Sequence, residues 1–518
     1  MSLQRSHLYD LVPYPGRPRP HTHPDRLSTL AALLGMTPPP VEHCRVLEVG
    51  CGDGANIIPM AMGFPQAEFV GIDTSSCAIA TGLSIREALG FANLQLLEMD
   101  LADFPEAMGE FDYIIAHGFY SWVAPPLRER LLQIMEALLS PHGVAFVSYN
   151  TYPGCHIREM VREMMRYHVH NAPDPVTKIS QARALLRFLV QARPGDGDPY
   201  DLLLHKELDR VLKQSDHHLF HDDLAPINQP FYFHEFMEQA GRHDMQYLCE
   251  AEYHTMQVDH ISDAARKAME ALEENPVARE QYLDFLTCRR FRQTLLCRRT
   301  VRLDRDVRSE RMQRFFFSSP ARPVSENPEI ASEAEETFAG PAGARMKTGH
   351  PLAKAVMVCL ANAWPGALSF DQLLTGAAAL HGRETNGEQR RLLGEILVQT
   401  FGVGLVQPHL SPVRLSRSPG ERPSASPLAR LQIENGNFLT NLCHGTVHLE
   451  DPVACQVLRL LDGTRDRETL MDSMEGFEGT IHERQNRLEG TPASLREEKA
   501  RVLEEVLGEL AHLALLLP

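Results

Sequence analysis

Short apolar runs alternate with longer amphipathic stretches from the N-terminal region to about residue 300. Five runs, Arg45–Gly50, Glu68–Asp73, Leu94–Asp100, Phe111–His117 and Val144–Asn150, are mostly apolar, the pattern of strands buried on both faces. Between them the period changes. Leu127, Leu131, Ile134, Met135 and Leu138 share one face and predict a helix at 126–139. Leu27, Leu30, Ala31 and Leu34 predict another, entered near Asp25 after a Pro/His-rich segment that resists both helix and strand. Strand and helix in alternation imply a Rossmann-like, doubly wound, mostly parallel α/β sheet.

Past His156 the pattern is helical, with a helical insertion over 171–230. Met245–His254 reads as a further strand and Phe291–Cys297 as its antiparallel partner at the sheet edge, with helix over 261–286 between them. The domain reading is therefore 1–170 for an N-terminal lid and core, and 171–300 for an inserted region that completes the sheet. Residues 301–349 read as a linker, rich in Pro, Ser, Glu, Gly and Ala. Residues 350–518 form an α-rich C-terminal domain, with a Ser/Pro/Arg stretch at 411–427 and a last helix at about 494–516.

The 518 residues suit two to four domains. The net charge of −17 disfavours nonspecific nucleic-acid binding and leaves a basic protein partner open. Ten cysteines without a C-x-x-C pair read as free thiols in a reducing compartment, with no metal site. The polar, proline-rich first residues and the lack of an apolar run of about 18 residues lead to the expectation of a cytoplasmic enzyme without a signal peptide or membrane span.

The chemistry concentrates at the carboxyl ends of the predicted strands, where ligands of such sheets bind. Val46 to Gly54 reads V-L-E-V-G-C-G-D-G, with Gly50, Gly52 and Gly54 evenly spaced and Glu48 and Asp53 beside them. A dinucleotide loop is G-x-G-x-x-G and receives a pyrophosphate. Acidic neighbours suit a cofactor with a positive centre and no phosphate, which describes S-adenosylmethionine. Asp73 ends the second strand nineteen residues after Gly54, where a ribose diol is held; a helix cap is the alternative. Asp100 and the Leu101 N–H end the third strand and suit the adenine edge. Glu48 either supports the loop or faces the methionine amino group. His117, Tyr120 and Trp122 follow the fourth strand, and Tyr149, Asn150 and Tyr152 end the fifth. Their aromatic faces would enclose a desolvated amine. Asn150 would orient it, and His117 is a candidate proton acceptor or a buried structural histidine. Tyr14 and His23 belong to a lid that closes over the cofactor, and Tyr14 and His117 are also candidate cofactor contacts. The stretch His217-His218-Leu219-Phe220-His221-Asp222-Asp223 reads as a polar loop before a helix rather than a metal site.

These residues carry a recognisable pattern. Tyr14-Pro15, Thr22-His23-Pro24-Asp25-Arg26-Leu27, Leu47 to Gly54, Ala116 to Val123 and Ser148 to Gly154 resemble bacterial class I methyltransferases with a methyltransferase regulatory domain. The resemblance continues through His221 to Leu224, Pro230 to Phe236 and Arg290 to Cys297. It implies S-adenosylmethionine as cofactor. It further implies kinship with rickettsial protein lysine methyltransferases, a homodimer, and a winged-helix-like tail around Asp451 to Asp466. The expected activity is methyl transfer to protein lysine. A methyltransferase for a small molecule or peptide natural product, and a cofactor-binding regulator without turnover, are the other readings.

Overall fold

The structure is a computed structural model describing residues 12, 14–193, 197–258, 261–340, 343–412, 415, 419–485 and 494–518. The start of the predicted lid and parts of the 411–427 stretch lie outside the described residues. Seven strands form the main sheet: β1 (Arg45–Val49), β2 (Glu68–Asp73), β3 (Leu94–Glu98), β4 (Phe111–Ala116), β5 (Leu139–Asn150), β6 (Met245–Glu250) and β7 (Phe291–Arg298). Their order is β3-β2-β1-β4-β5-β7-β6. The first five run parallel, and β7 is antiparallel to both β5 and β6. Chain order reverses between β1 and β4, which places a ligand crevice at the carboxyl end of β1.

Alternate side chains of β1 feed two cores. Val46 packs with Leu27 and Leu30 of the helix Pro24–Leu33. Leu47 and Val49 pack with Leu131, Ile134 and Met135 of the helix Pro125–Leu138. Glu48 therefore shares the face of Val46. The helix Pro24–Leu33 is buried on nearly every side, not on the single predicted face. It lies between the sheet and the unit that follows the sheet: His409 Nδ1 is 2.7 Å from Asp25 Oδ2, and Leu410 N donates to Thr29 Oγ1 at 3.1 Å.

Arg292 of β7 is fully buried. It donates to Glu250 at 2.6 Å and to both oxygens of Asp284 at 2.9 Å. This charge cluster ties the edge strands to the helix Pro276–Thr287, and fixes where Phe291 emerges.

The expected linker is ordered. It contains β8 (Phe316–Ser318), β9 (Arg322–Pro323), β10 (Glu336–Ala339) and β11 (Arg345–Thr348). Phe317, Ala321 and Phe338 are fully buried and join the core that contains Val46. Its polar middle is wrapped around one ammonium: fully buried Lys354 donates to the carbonyls of Glu329, Ser332 and Ala334 at 2.6, 2.9 and 2.8 Å. A long-range cation replaces the apolar side chains this stretch lacks. Lys354→Met should cost about 2–3 kcal/mol, read as a lower unfolding midpoint and new proteolytic cleavage between 326 and 336.

The predicted single tail domain is two units. β8, β12 (Leu368–Ser369) and β13 (Gln407–His409) form a small sheet beside three helices, Pro351–Ala363, Phe370–His381 and Gly387–Gly402. This unit shares the core of the catalytic sheet. Residues 425–516 build a separate core around Val453, Leu458, Val506 and Leu510. That last unit carries a hairpin of β14 (Phe438–Thr440) and β15 (Thr446–His448). All ten cysteines are unpaired. Among the described residues no helix is long and apolar enough to cross a membrane.

Candidate active site

The glycine turn sits at the end of β1, in the crevice. Gly50, Gly52 and Gly54 have φ of +74°, +55° and +76°, the left-handed region where other residues are strained. A Cβ on Gly52 would meet nothing within 4 Å, so this side of the turn faces open space. A Cβ on Gly50 would lie 3.3 Å from the Phe119 ring, which closes the turn from the β4 side.

Asp73 holds the turn. Its Oδ2 accepts from Gly52 N at 2.8 Å and its Oδ1 from Ser75 N at 2.9 Å. Ser75, not Asp73, is the N-cap of the helix Ser76–Leu89. Asp100 Oδ1 accepts from Ala102 N at 3.0 Å at the end of β3, and Leu101 is buried beneath it. Asp53 accepts from Ala55 N at 3.1 Å, and burial raises its pKa.

Glu48 is the electrostatic outlier. It is buried, and burial pushes its pKa up to about 8 despite a hydrogen bond from Asn56 Nδ2 to its Oε1 at 2.7 Å; the charges of Asp53 and Asp73 push the same way as burial. Its Oε2 is buried without a hydrogen-bond partner. An orphaned acidic oxygen behind an open glycine turn fits a ligand that brings a cation or donor to this spot.

The N-terminal segment crosses the turn. Gly16 packs so closely on Asp53 that a Cβ there would lie 2.1 Å from its Oδ1. Arg19 N donates to Asn56 Oδ1 at 2.7 Å. The Tyr14 ring meets His217, His218 and His221 of the insertion at 5.6, 5.3 and 5.8 Å. The histidine stretch thus anchors the segment that lies on the cofactor turn. His23 sits further back, its ring 5.4 Å from Phe64.

The aromatic residues divide into two groups. Tyr120 and Tyr149 are core residues, contrary to the expectation that they line a pocket. The Tyr120 hydroxyl donates to Gln239 Oε1 at 2.7 Å, and the Tyr149 hydroxyl pairs with Thr294 Oγ1 at 3.1 Å. Tyr149 shares its strand face with Val147 and Ala145 and packs on Phe236 at 4.3 Å. Trp122 and Tyr152 are half-exposed. The Tyr152 ring stacks on His156 at 4.1 Å, lies 5.2 Å from Tyr232, and its hydroxyl donates to Glu159 at 3.0 Å. Asn150 is buried, with its Nδ2 donating to Asn228 Oδ1 at 2.8 Å. Phe291, missed in the sequence because it reads as the first residue of an edge strand, is 40 % exposed and 6.3 Å from the His117 ring.

His117 is held by Ser148. Gly118 N donates to Ser148 Oγ at 2.8 Å, and the same hydroxyl lies 3.0 Å from His117 Nδ1. The hydroxyl has one proton and two lone pairs, so the contact to Nδ1 suits either ring tautomer. Burial, with the charges of Arg19 and His21, pushes the imidazole pKa down to about 3. A ring of such low basicity is a weak proton acceptor.

Comparison with known proteins agrees with this geometry. Residues 40–215 match a methyltransferase domain, 215–298 a predicted methyltransferase regulatory domain, and 421–515 the PKMT C-terminal winged helix domain. An uncharacterized protein of Rickettsia prowazekii, RP789, is 33% identical over 485 residues, covering 90% of this chain and 85% of that protein. The chain belongs to this methyltransferase family. Two solved structures of PKMT2 from Rickettsia typhi, one in complex with AdoHcy, superpose with TM-scores of 0.85 at 26% and 27% identity. They cover 98% and 97% of this chain and 100% of the other. With the domain match and the fold, the chain is an S-adenosylmethionine-dependent methyltransferase. The winged-helix match is confined to the last unit, in line with the two separate cores of the tail.

Proposed function

We propose that this methyltransferase modifies the side-chain amine of lysine in a protein acceptor. The observation that carries the reading is the partly exposed aromatic rim where the carboxyl end of β5 meets the amino end of β7, with Tyr152, His156 and Tyr232 in mutual contact and Phe291 beside His117. A long side chain presented by a protein reaches such a rim, whereas a free small molecule calls for an enclosed cavity. The domain name PKMT, for protein lysine methyltransferase, supports the same class.

Bound S-adenosylmethionine supplies an electrophilic methyl carbon on a sulfonium. The glycine turn 50–54 would carry its methionine part, Asp73 its ribose hydroxyls, and Asp100 with the Leu101 N–H its adenine edge. Glu48 would face its positive end. Tyr14 would anchor the segment over the turn.

The chain's remaining task is to present a neutral amine in line. A lysine deprotonates at pH 7 at a cost of ~4.6 kcal/mol from its reference pKa. Aromatic faces that displace water lower that cost by disfavouring the ammonium. Trp122, Tyr152 and Phe291 would do this, with Tyr120 and Tyr149 supporting from the core. Asn150, its nitrogen committed to Asn228, would turn its carbonyl oxygen to the amine. His117, a weak base in its buried setting, would orient the reactants rather than take a proton.

A homodimer in the cytoplasm completes the proposal, the dimer to be read by sedimentation. The test of the acceptor is transfer of labelled methyl to intact proteins of a bacterial extract. Base-stable label that disappears after lysine blocking is expected. Base-labile label, or label confined to small molecules, would overturn the lysine assignment.

A further inference from the structure

The C-terminal unit enters the cofactor site of the catalytic unit. The turn between β14 and β15 carries His444, which is only 5 % exposed and has φ of +57°. A non-glycine residue in that region is held there by its surroundings. The turn is pinned from behind: Asn441 Oδ1 accepts from Cys443 N and Gly445 N at 3.1 and 2.7 Å, and Asn441 Nδ2 donates to Leu513 O at 3.0 Å.

His444 Nε2 lies 2.9 Å from Asn56 Oδ1, although the two residues are 388 positions apart. The polarity of this contact is fixed. Arg19 N–H donates to the same Asn56 atom at 2.7 Å, so that atom is the amide oxygen and His444 Nε2 carries its proton. Burial, with His23 beside it at 5.0 Å between ring centres, keeps the His444 imidazole neutral, in agreement. The Asn56 nitrogen then points the other way, donating to Glu48 Oε1 at 2.7 Å and Thr22 Oγ1 at 2.9 Å. Glu48 precedes Gly50 by two residues and Asn56 follows Gly54 by two, so Asn56 bridges both ends of the glycine turn. Arg17, in the segment over the turn, stacks its guanidinium 5.0 Å above Phe438 of the same hairpin.

We infer that His444 is a positioning residue of the cofactor site: the C-terminal unit, through its Nε2–H, fixes the Asn56 amide that bridges the glycine turn and aims Glu48. The inference rests on the reading of residues 48–54 as the cofactor turn. It makes the winged-helix unit a part of the catalytic machinery rather than a separate module. Loss of the donor leaves the Asn56 oxygen held mainly by Arg19 N–H and loosens the amide whose nitrogen hydrogen-bonds the Glu48 carboxyl.

The test uses the full-length protein and calorimetric titration with S-adenosylhomocysteine. His444→Asn is the informative variant. Asparagine tolerates a positive φ better than histidine but is too short to reach Asn56. A merely structural role predicts a lower unfolding midpoint, from the lost buried hydrogen bond and the space left behind, with unchanged binding. The positioning role predicts about tenfold weaker binding, and recovery in His444→Gln, whose amide nitrogen matches the reach of Nε2. Asn56→Ala should weaken binding to a similar degree, and Asn56→Ala with His444→Asn should be no worse than Asn56→Ala alone. Equal affinity of His444→Asn and wild type, or full additivity in the double variant, would overturn the inference. Absence of binding by the wild type itself would instead refute the cofactor reading on which it stands.

Discussion

Asp73→Ala should raise the dissociation constant for S-adenosylhomocysteine by about a hundredfold or more. Two contributions add. The carboxylate is the proposed acceptor for the two ribose hydroxyls, and hydrogen bonds to a charged group contribute about 1.5–3 kcal/mol each. It is also the group that fixes Gly52 N and Ser75 N, so its removal leaves both N–H groups without this acceptor and loosens the turn. Calorimetry checks the result directly. Unchanged affinity in a folded Asp73→Ala protein would remove the ribose assignment, and would return Asp73 to the role of tying β2 to the glycine turn.

The second large effect is a pH dependence of cofactor affinity. In the free enzyme Glu48 has a pKa near 8, so it is mostly neutral at pH 7. A positively charged ligand end beside the orphaned Oε2 favours the carboxylate, so binding releases a proton. Affinity should therefore rise with pH from 6 to 8, approaching tenfold per unit at the low end, and level off above 8. Glu48→Gln should bind more weakly at pH 8 and lose this slope. The stability of the free enzyme should move in the opposite sense. A carboxyl whose folded pKa lies above its unfolded value of 4.5 contributes fully below pH 4.5, and that contribution is lost as pH rises from 4.5 to 8. Glu48→Gln should then unfold at a higher temperature than wild type at pH 8 in the absence of ligand. A wild-type affinity that is flat from pH 6 to 8 would show that no cation sits at Glu48.

The strands of the catalytic sheet were legible because apolar runs buried on both faces need only local sequence to be recognised; the observed β2 spans the predicted residues and the other four parallel strands differ mainly at their ends. The positions of the glycine turn, Asp73 and Asp100 were legible for a related reason: each is tied to a strand end by spacing. The aromatic positions were not, because a residue near a strand end faces core or solvent according to register. Alternation with Val147 and Ala145 does place Tyr149 in the core, a signal present in the sequence. Tyr120 turns inward on a single helical turn, Tyr120–Trp122, that no period marks. The 301–349 segment read as a linker because its order depends on Lys354 and on Phe317 and Phe338 reaching a distant core. His444 and Asn56 left no sequence signal, since their meeting depends on how two separately built units dock.

The central claim is transfer of a methyl group from S-adenosylmethionine to protein lysine. Tandem mass spectrometry of a bacterial extract incubated with the full-length enzyme and isotopically labelled cofactor tests it most directly. The account predicts label on lysine side-chain nitrogens of particular proteins, and none with Asp73→Ala. Label on another atom type, or label equally abundant with Asp73→Ala, would contradict it.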